Sequence, residues 1–168
     1  MKWTLYFLPI ILFILTPACA PRQLDPDSPE VKKTSVKVKN KPYRVRGKRY
    51  TPMSVEKALL YTETGIASYY GGNRTKVRTA SGERINARTS LTAAHRTLPI
   101  PSKVKVTCLA TGKSVVVRIN DRGPFHRNRV IDLTTAAAKK INLMGRGVGK
   151  VKLEVISVGD GEYEIFAD

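Results

Sequence analysis

Short apolar runs, each closed by turn chemistry, constrain most strongly what this chain can fold into. They cover Gly65–Tyr70, Leu91–Ala94, Val104–Leu109, Val115–Asn120, Val130–Leu133 and Val151–Ile156. Between them lie Gly71-Gly72-Asn73, Ser81-Gly82, Pro99-Ile100-Pro101, Thr111-Gly112, Gly123-Pro124 and the glycines at 145, 147 and 149. Strands this short, at this spacing, predict a mainly β domain, either a small barrel or a sandwich. A domain of roughly 90 residues buries little surface, and closing the sheet on itself removes its edges. One helix interrupts the pattern. Thr134 or Thr135 supplies the cap, Ala136, Ala137 and Ala138 favour helix, and Ile141 continues the apolar side. Upstream, Lys41 to Pro52 alternates apolar and basic residues on both sides of Gly47, as a hairpin would, and Ser54 to Tyr61 suits a helical turn or two.

The first residues follow a different logic. Met1 and Lys2 precede an apolar run from Trp3 to Leu15, and Thr16-Pro17-Ala18-Cys19 follows. This is the form of a bacterial export signal, and the run is short of the roughly 20 residues that span a bilayer. Small residues before Cys19 predict a lipoprotein signal at 1–18, with Cys19 acylated, although Thr16 sits where an aliphatic residue is usual. Ala20 after the cysteine favours the outer membrane, facing the periplasm of a Gram-negative cell. Residues 19–40, with Pro21, Pro26 and Pro29, read as a flexible lipidated tether. Residues 41–62 then form the lead-in, 63–158 the barrel and 159–168 an acidic tail.

The formal charge is +17, which ordinarily raises nucleic acid as a partner. Export excludes it and leaves lipid headgroups, lipopolysaccharide phosphates and the carboxylates of cell-wall peptides. Lys32 to Arg49 is dense in Lys and Arg without an acid. It is either a solvated, self-repelling linker or a contact with anionic lipid, worth about 1 kcal/mol per basic residue near a charged surface. With Cys19 acylated, Cys108 is left single, and it shares a strand face with Val104 and Val106, as a buried structural cysteine does. No cofactor or metal is expected, and the chain is expected to act as a monomer.

In Lys113–Leu133, a period-2 strand runs into Asp121-Arg122-Gly123-Pro124. Gly123 permits a tight bend and Pro124 stiffens it, so Asp121 is held at a rigid corner. Locally, a turn cap is the favoured meaning of this aspartate, with a chemical role as the alternative.

Several motifs in order resemble one family. They are Gly65-Ile66-Ala67-Ser68-Tyr69-Tyr70-Gly71, Thr79-Ala80-Ser81-Gly82-Glu83, Leu91-Thr92-Ala93-Ala94-His95-Arg96-Thr97-Leu98-Pro99 and Val116 to Phe125, followed by Arg129-Val130-Ile131-Asp132-Leu133. Together, over about residues 41–156, the chain resembles rare lipoprotein A. The resemblance implies a six-stranded double-psi β-barrel with one short helix, in a periplasmic lipoprotein acting on peptidoglycan glycan strands. Some members are similar to lytic transglycosylases that prefer glycan stripped of stem peptides. The chain departs from the family where Gly82-Glu83-Arg84-Ile85-Asn86 stands for Gly-Glu-x-Phe-Asp, where Arg74, Thr75 and Lys76 stand for Phe-His-Gly, and where Tyr70 stands for a common Trp.

Lytic cleavage of the bond between muramic acid and glucosamine needs one carboxyl that first protonates the leaving oxygen and then accepts the muramyl 6-hydroxyl proton. The resemblance assigns this role to Asp121. Glu83 would raise the Asp121 pKa by like charge or stabilise the transition state, and His95 would bond sugar, orient a carboxylate or serve as a structural residue. Tyr69, Tyr70 and Phe125 are candidates for stacking on sugar or for the core, and Asn86, Asn120 and Arg122 for polar contact with substrate. His126 matches none of the motifs. Arg118 and Arg122 would pull Asp121 below its ordinary pKa of about 3.9, so burial or Glu83 has to offset them. Three functions follow: glycan cleavage, noncatalytic glycan binding or a cell-division scaffold on the same barrel, and expansin-like loosening of glycan packing.

Overall fold

The computed structural model describes residues 38–72, 76–159 and 163–164. The export signal, Cys19, the tether to residue 37, Asn73, Arg74 and Thr75 and most of the acidic tail lie outside the described residues. Along the chain run β1 (Tyr43–Val45), β2 (Lys48–Tyr50), α1 (Val55–Leu59), β3 (Thr62–Tyr70), β4 (Val77–Arg78), β5 (Arg84–Ile85) and β6 (Thr92–His95). After these come β7 (Ser102–Cys108), β8 (Ser114–Asp121), β9 (Arg129–Thr134), α2 (Thr135–Lys140), β10 (Val148–Val158) and β11 (Tyr163–Glu164).

Six of these strands close into a ring. β10 pairs antiparallel with β3 on one side and with β7 on the other, and the circuit is completed through β9, β6 and β8. Two pairs in the ring are parallel, β3 with β9 and β6 with β8, while β6 lies antiparallel to β9. Sequential strands β8 and β9 therefore flank β6, and the two crossing connections interlock as a double-psi β-barrel. β11 pairs with Ser157 and Val158 of β10, outside the ring.

The alternation in the sequence is the alternation of the barrel wall. Val104, Val106 and Cys108 of β7, Val115, Val117 and Ile119 of β8, and Val151, Leu153 and Val155 of β10 are buried, as are Ile131 and Leu133 of β9. Each fully buried Val, Leu or Ile contributes about 1.5–3 kcal/mol relative to exposure. Cys108 takes the expected place in the core. The parallel β3–β9 seam also carries a polar fastening. Ser68 Oγ donates to Asp132 Oδ1 at 2.5 Å and accepts from Arg129 Nη1 at 2.7 Å.

Among the described residues two short helices occur, the alanine-rich one and the turn expected within Ser54 to Tyr61. Ser54 caps α1 by accepting from the Lys57 amide at 3.3 Å, and Ala58 and Leu59 seal one side of the core. At α2, Ala137, Ala138 and the following Ile141 are buried as the pattern predicts. Thr134 occupies the cap position without capping, because its hydroxyl donates to Ser90 O at 2.6 Å and ties the helix start to the loop before β6. β10 begins earlier than the glycines at 147 and 149 suggest. Gly149 is a strand residue whose missing side chain makes room for Leu143, since a Cβ there would lie 2.5 Å from Leu143 Cδ1.

Gly71, which ends β3, has φ +99°, and a Cβ on it would lie 2.2 Å from Ala87 Cβ. Gly112 has φ +68° with open space around it. Alanine at Gly112 meets only the left-handed backbone cost, about 1 kcal/mol, whereas alanine at Gly71 adds overpacking of about 1–3 kcal/mol. Chemical denaturation of the two variants is expected to show the larger loss for Gly71→Ala; equal losses would contradict this packing.

Candidate active site

Asp121 is the last residue of β8, where the buried strand gives way to the Arg122–Phe125 corner, whose Gly123–Pro124 peptide is cis. Its Oδ1 accepts the amide of Arg122 at 2.8 Å, as a turn cap would, and also the amide of Ala80 at 2.8 Å. The second bond comes from a distant segment. β4 and β5 form a small hairpin whose turn, Thr79–Glu83, docks on the end of β8, with the Ser81 amide on Asn120 O at 2.9 Å. The candidate acid thus also caps its own turn.

Both backbone bonds fall on Oδ1. An acid proton therefore belongs on Oδ2, which accepts no hydrogen bond from the described residues. Burial raises the Asp121 pKa above its ordinary range, and the two amides and the Arg122 guanidinium oppose this without cancelling it. Of the two offsets expected against the surrounding arginines, burial and Glu83, it is burial that acts, because removing the carboxyl from water outweighs the Arg122 charge that faces it.

Glu83 sits on the same docked turn but is held differently. Arg118 Nη1 donates to Oε1 at 2.6 Å and Asn120 Nδ2 to Oε2 at 3.0 Å. Partial burial is the largest single influence and favours protonation, but the bonds from Asn120, Arg118 and Ser81 together with the Arg118 charge prevail and lower its pKa. Two carboxyls near one strand end are thereby pushed in opposite directions, one toward the acid and one toward the anion.

The remaining predicted residues divide. Arg122 and Phe125 line a cavity of about 900 Å³ together with Asp121. Arg122 Nη1 donates to Leu98 O at 2.5 Å and Nη2 to Lys39 O at 3.2 Å, so its charge is fixed beside the carboxyl. Asn120 is fully buried and acts through Glu83. Asn86 accepts the Arg88 amide at 3.0 Å and shapes its own turn, and its hydrogen bonds among the described residues reach neither Asp121 nor Glu83. Tyr69 packs against the core, and the Tyr70 hydroxyl is buried, with its pKa raised by burial and by the Asp121 charge. Both residues are partly buried, and neither lines the Asp121 cavity.

His95 takes the structural one of the roles expected for it. It is 2% exposed, and its Nδ1 accepts the amides of Thr97 and Leu98 at 3.2 and 3.0 Å. The proton therefore resides on Nε2, which faces the Tyr61 hydroxyl at 3.4 Å. Burial, aided by Arg96 and Arg122, pushes its pKa down to about 3, so the ring is neutral and shielded from sugar. His95 acts here as a structural residue that shapes the Thr97–Leu98 turn, whose Leu98 carbonyl receives Arg122.

The last residues assigned to the flexible tether, from Val38 on, are docked on the barrel, and with the lead-in they supply what the motif pattern missed. Lys39 pairs with Ile100 through its amide at 2.7 Å, and its Nζ donates to Ser81 O at 2.6 Å. Val38 to Tyr43 thus lines the Asp121 cavity together with Ala80 and Ile100. Tyr43 donates to Arg96 O at 2.8 Å, lies under Arg122 at 5.4 Å and stacks on Tyr50 at 5.3 Å, and Tyr50 meets Phe125 at 5.6 Å. The alternating apolar and basic residues of the lead-in were the only sequence sign of this lining. Among the described residues no cluster of His, Cys, Asp and Glu is arranged to hold a metal ion.

A family model described as lytic transglycolase matches residues 62–153. The chain is 46% identical over 151 residues to the endolytic peptidoglycan transglycosylase RlpA of Neisseria meningitidis serogroup B, covering 88% of this chain and 62% of that protein. It is 52% identical over 119 residues to the protein of the same name from Vibrio cholerae serotype O1, covering 71% of this chain and 44% of that one. The chain spans about half the length of the curated relatives it matches. Among solved structures, the Streptomyces papain inhibitor aligns with a TM-score of 0.47 at 25% identity, over 56% of this chain and 94% of that one, too loosely to bear on the site. By the family match across the barrel and by these relatives, the chain belongs to the rare lipoprotein A family of lytic transglycolases.

Proposed function

We propose that this chain cleaves peptidoglycan glycan strands by lytic transglycosylation, with Asp121 as the single acid and base. The partly buried carboxyl lining an open cavity carries the reading, because its raised pKa is what a general acid needs. Oδ2–H of Asp121 protonates the glycosidic oxygen between N-acetylmuramic acid and N-acetylglucosamine as the C1–O bond breaks. The muramyl 6-hydroxyl then closes on C1 and returns its proton to Oδ2, which leaves a 1,6-anhydro end and restores the enzyme. Glu83 stays anionic and holds Asn120, next to Asp121 in sequence, in place. Arg122 and Phe125 border the bound sugar, and the aromatic run Tyr43, Tyr50 and Phe125 extends the sugar-facing wall.

Asn86 favours a second reading, a noncatalytic glycan-binding or cell-division module, since an amide stands at an acidic position of the family. The placement of Asn86 speaks for cleavage, because its side chain shapes a turn, a bond an amide oxygen makes as well as a carboxylate does.

We also propose that the chain works as a monomer in the periplasm, held at the outer membrane through acylated Cys19, with the basic residues between Lys32 and Arg49 adding contact with anionic lipid. The export pattern and the run of positive charge support this. Cys19→Ala is expected to move the protein from the membrane to the soluble fraction on cell fractionation; retention on the membrane would oppose lipid anchoring.

Mass spectrometry of purified glycan strands incubated with the chain is expected to show anhydro-ended fragments that drop at least about 100-fold with Asp121→Asn, the scale of a lost general acid. The active form is the protonated one, so the rate is expected to fall as pH rises through the Asp121 pKa, which burial places above the ordinary aspartate value. Glycan binding with no fragments from the unaltered chain would favour the noncatalytic module.

A further inference from the structure

Beside the Asp121 cavity lies a second, smaller one of about 260 Å³, lined by Lys48, Tyr50, Arg96, Phe125, His126 and Arg127. Phe125 lines both cavities, so the two lie side by side along one surface. The lining of the second is basic and aromatic, with no acid. Its central cation is held firmly. Arg96 Nη1 donates to the carbonyls of Arg129 at 2.8 Å and of Pro124 and His126 at 3.4 Å, which leaves Nε and Nη2 without a hydrogen-bond partner among the described residues. Lys48 Nζ stands 5.5 Å from the centre of the Tyr50 ring. A fixed guanidinium lining a pocket with Tyr50 and Phe125 suits an anion attached to a sugar, and its fork matches a carboxylate.

We propose that this basic pocket is a subsite for a carboxylate carried by the glycan strand, one sugar away from the bond at Asp121. This rests on the glycan reading above and names the group that the site would recognise. A muramyl unit bears a lactyl ether whose carboxyl is either free or tied into the amide of a stem peptide. The carboxylate therefore has two sources, the free lactyl group or an acidic group farther out on the peptide. Lys48, Arg127 and His126 form the exposed rim and Arg96 the fixed floor. Charge at the pocket then reads which muramyl unit lies next to the cleaved bond.

The test uses calorimetric binding to the full chain bearing Asp121→Asn, so that strands persist during the measurement. The probes are muramyl glycan strands with free lactyl carboxylates, the same strands with those groups converted to neutral methylamides, and strands carrying stem peptides. Free-carboxylate strands are expected to bind about 10-fold more tightly than methylamide strands. Lys48→Gln with Arg127→Gln is expected to erase that difference while leaving methylamide binding unchanged, a coupling of about 1.4 kcal/mol. Arg49→Gln, on the same β2 but outside the pocket, is expected to preserve the difference. If the paired variants instead weaken only the peptide-bearing strands, the pocket stands with the peptide as its source of carboxylate. Equal binding of free and methylamide strands, with peptide-bearing strands also indifferent to the paired variants, would overturn the pocket and leave the glycan reading intact. An equal effect of Arg49→Gln would do the same, since it marks a diffuse attraction to a basic surface. A chain that binds none of the strands, even with Asp121 restored, contradicts the proposed function itself.

Discussion

The pairing of β10 with both β3 and β7 is the constraint on which the rest of the molecule depends. It turns an open sheet into a ring with no edge in its wall, so chemistry has to be built from loops and strand ends at the rim. In this ring the end of β8 is a point of convergence. The 79–83 turn arrives from one side, the lead-in strap from another and the Arg122–Phe125 corner from a third. The burial of Asp121 is a consequence of that convergence. A carboxylate at the end of an isolated strand would be solvated, and the charge of Arg122 would then set its pKa.

Opposed environments for two carboxyls follow from the same geometry. The Asp121 side chain has backbone amides on one oxygen and limited water around the other, whereas both Glu83 oxygens meet side-chain donors, one of them cationic. Burial acts on both. It prevails at Asp121, where the opposing bonds come from neutral amides and one partly offset cation, and it loses at Glu83, where an ion pair and several hydrogen bonds act together. The large positive charge of the chain therefore does not decide the protonation of its candidate acid.

Much of this was legible in the sequence where the determining contacts are local. Alternation in Val115–Asn120 specifies which face of β8 enters the core, and the Asp-Arg-Gly-Pro corner announces a rigid end to the strand. Cys108, the lead-in hairpin and the alanine helix are legible for the same reason. Less legible were contacts that join distant segments. Arg122 bonds to Lys39, 83 residues away, and Ala80 reaches Asp121 across 41. No period or motif encodes these, so the lead-in looked like an attachment when it is a wall of the cavity. His95 left several roles open in the sequence, and its surroundings favour the structural one: a neutral ring that accepts two amides fixes a turn that would otherwise leave those amides unpaired. The Thr134 hydroxyl was likewise drawn to a carbonyl across the fold instead of capping its own helix.

The central claim is that burial converts the carboxyl of a strand-end aspartate into a general acid while its neighbour stays ionised. Site-resolved NMR titration of the side-chain carboxyl carbons tests it most directly. Asp121 is predicted to titrate above the ordinary aspartate value of about 3.9, and Glu83 below the ordinary glutamate value of about 4.3, in the same sample. An Asp121 midpoint at or below its ordinary value would contradict the account.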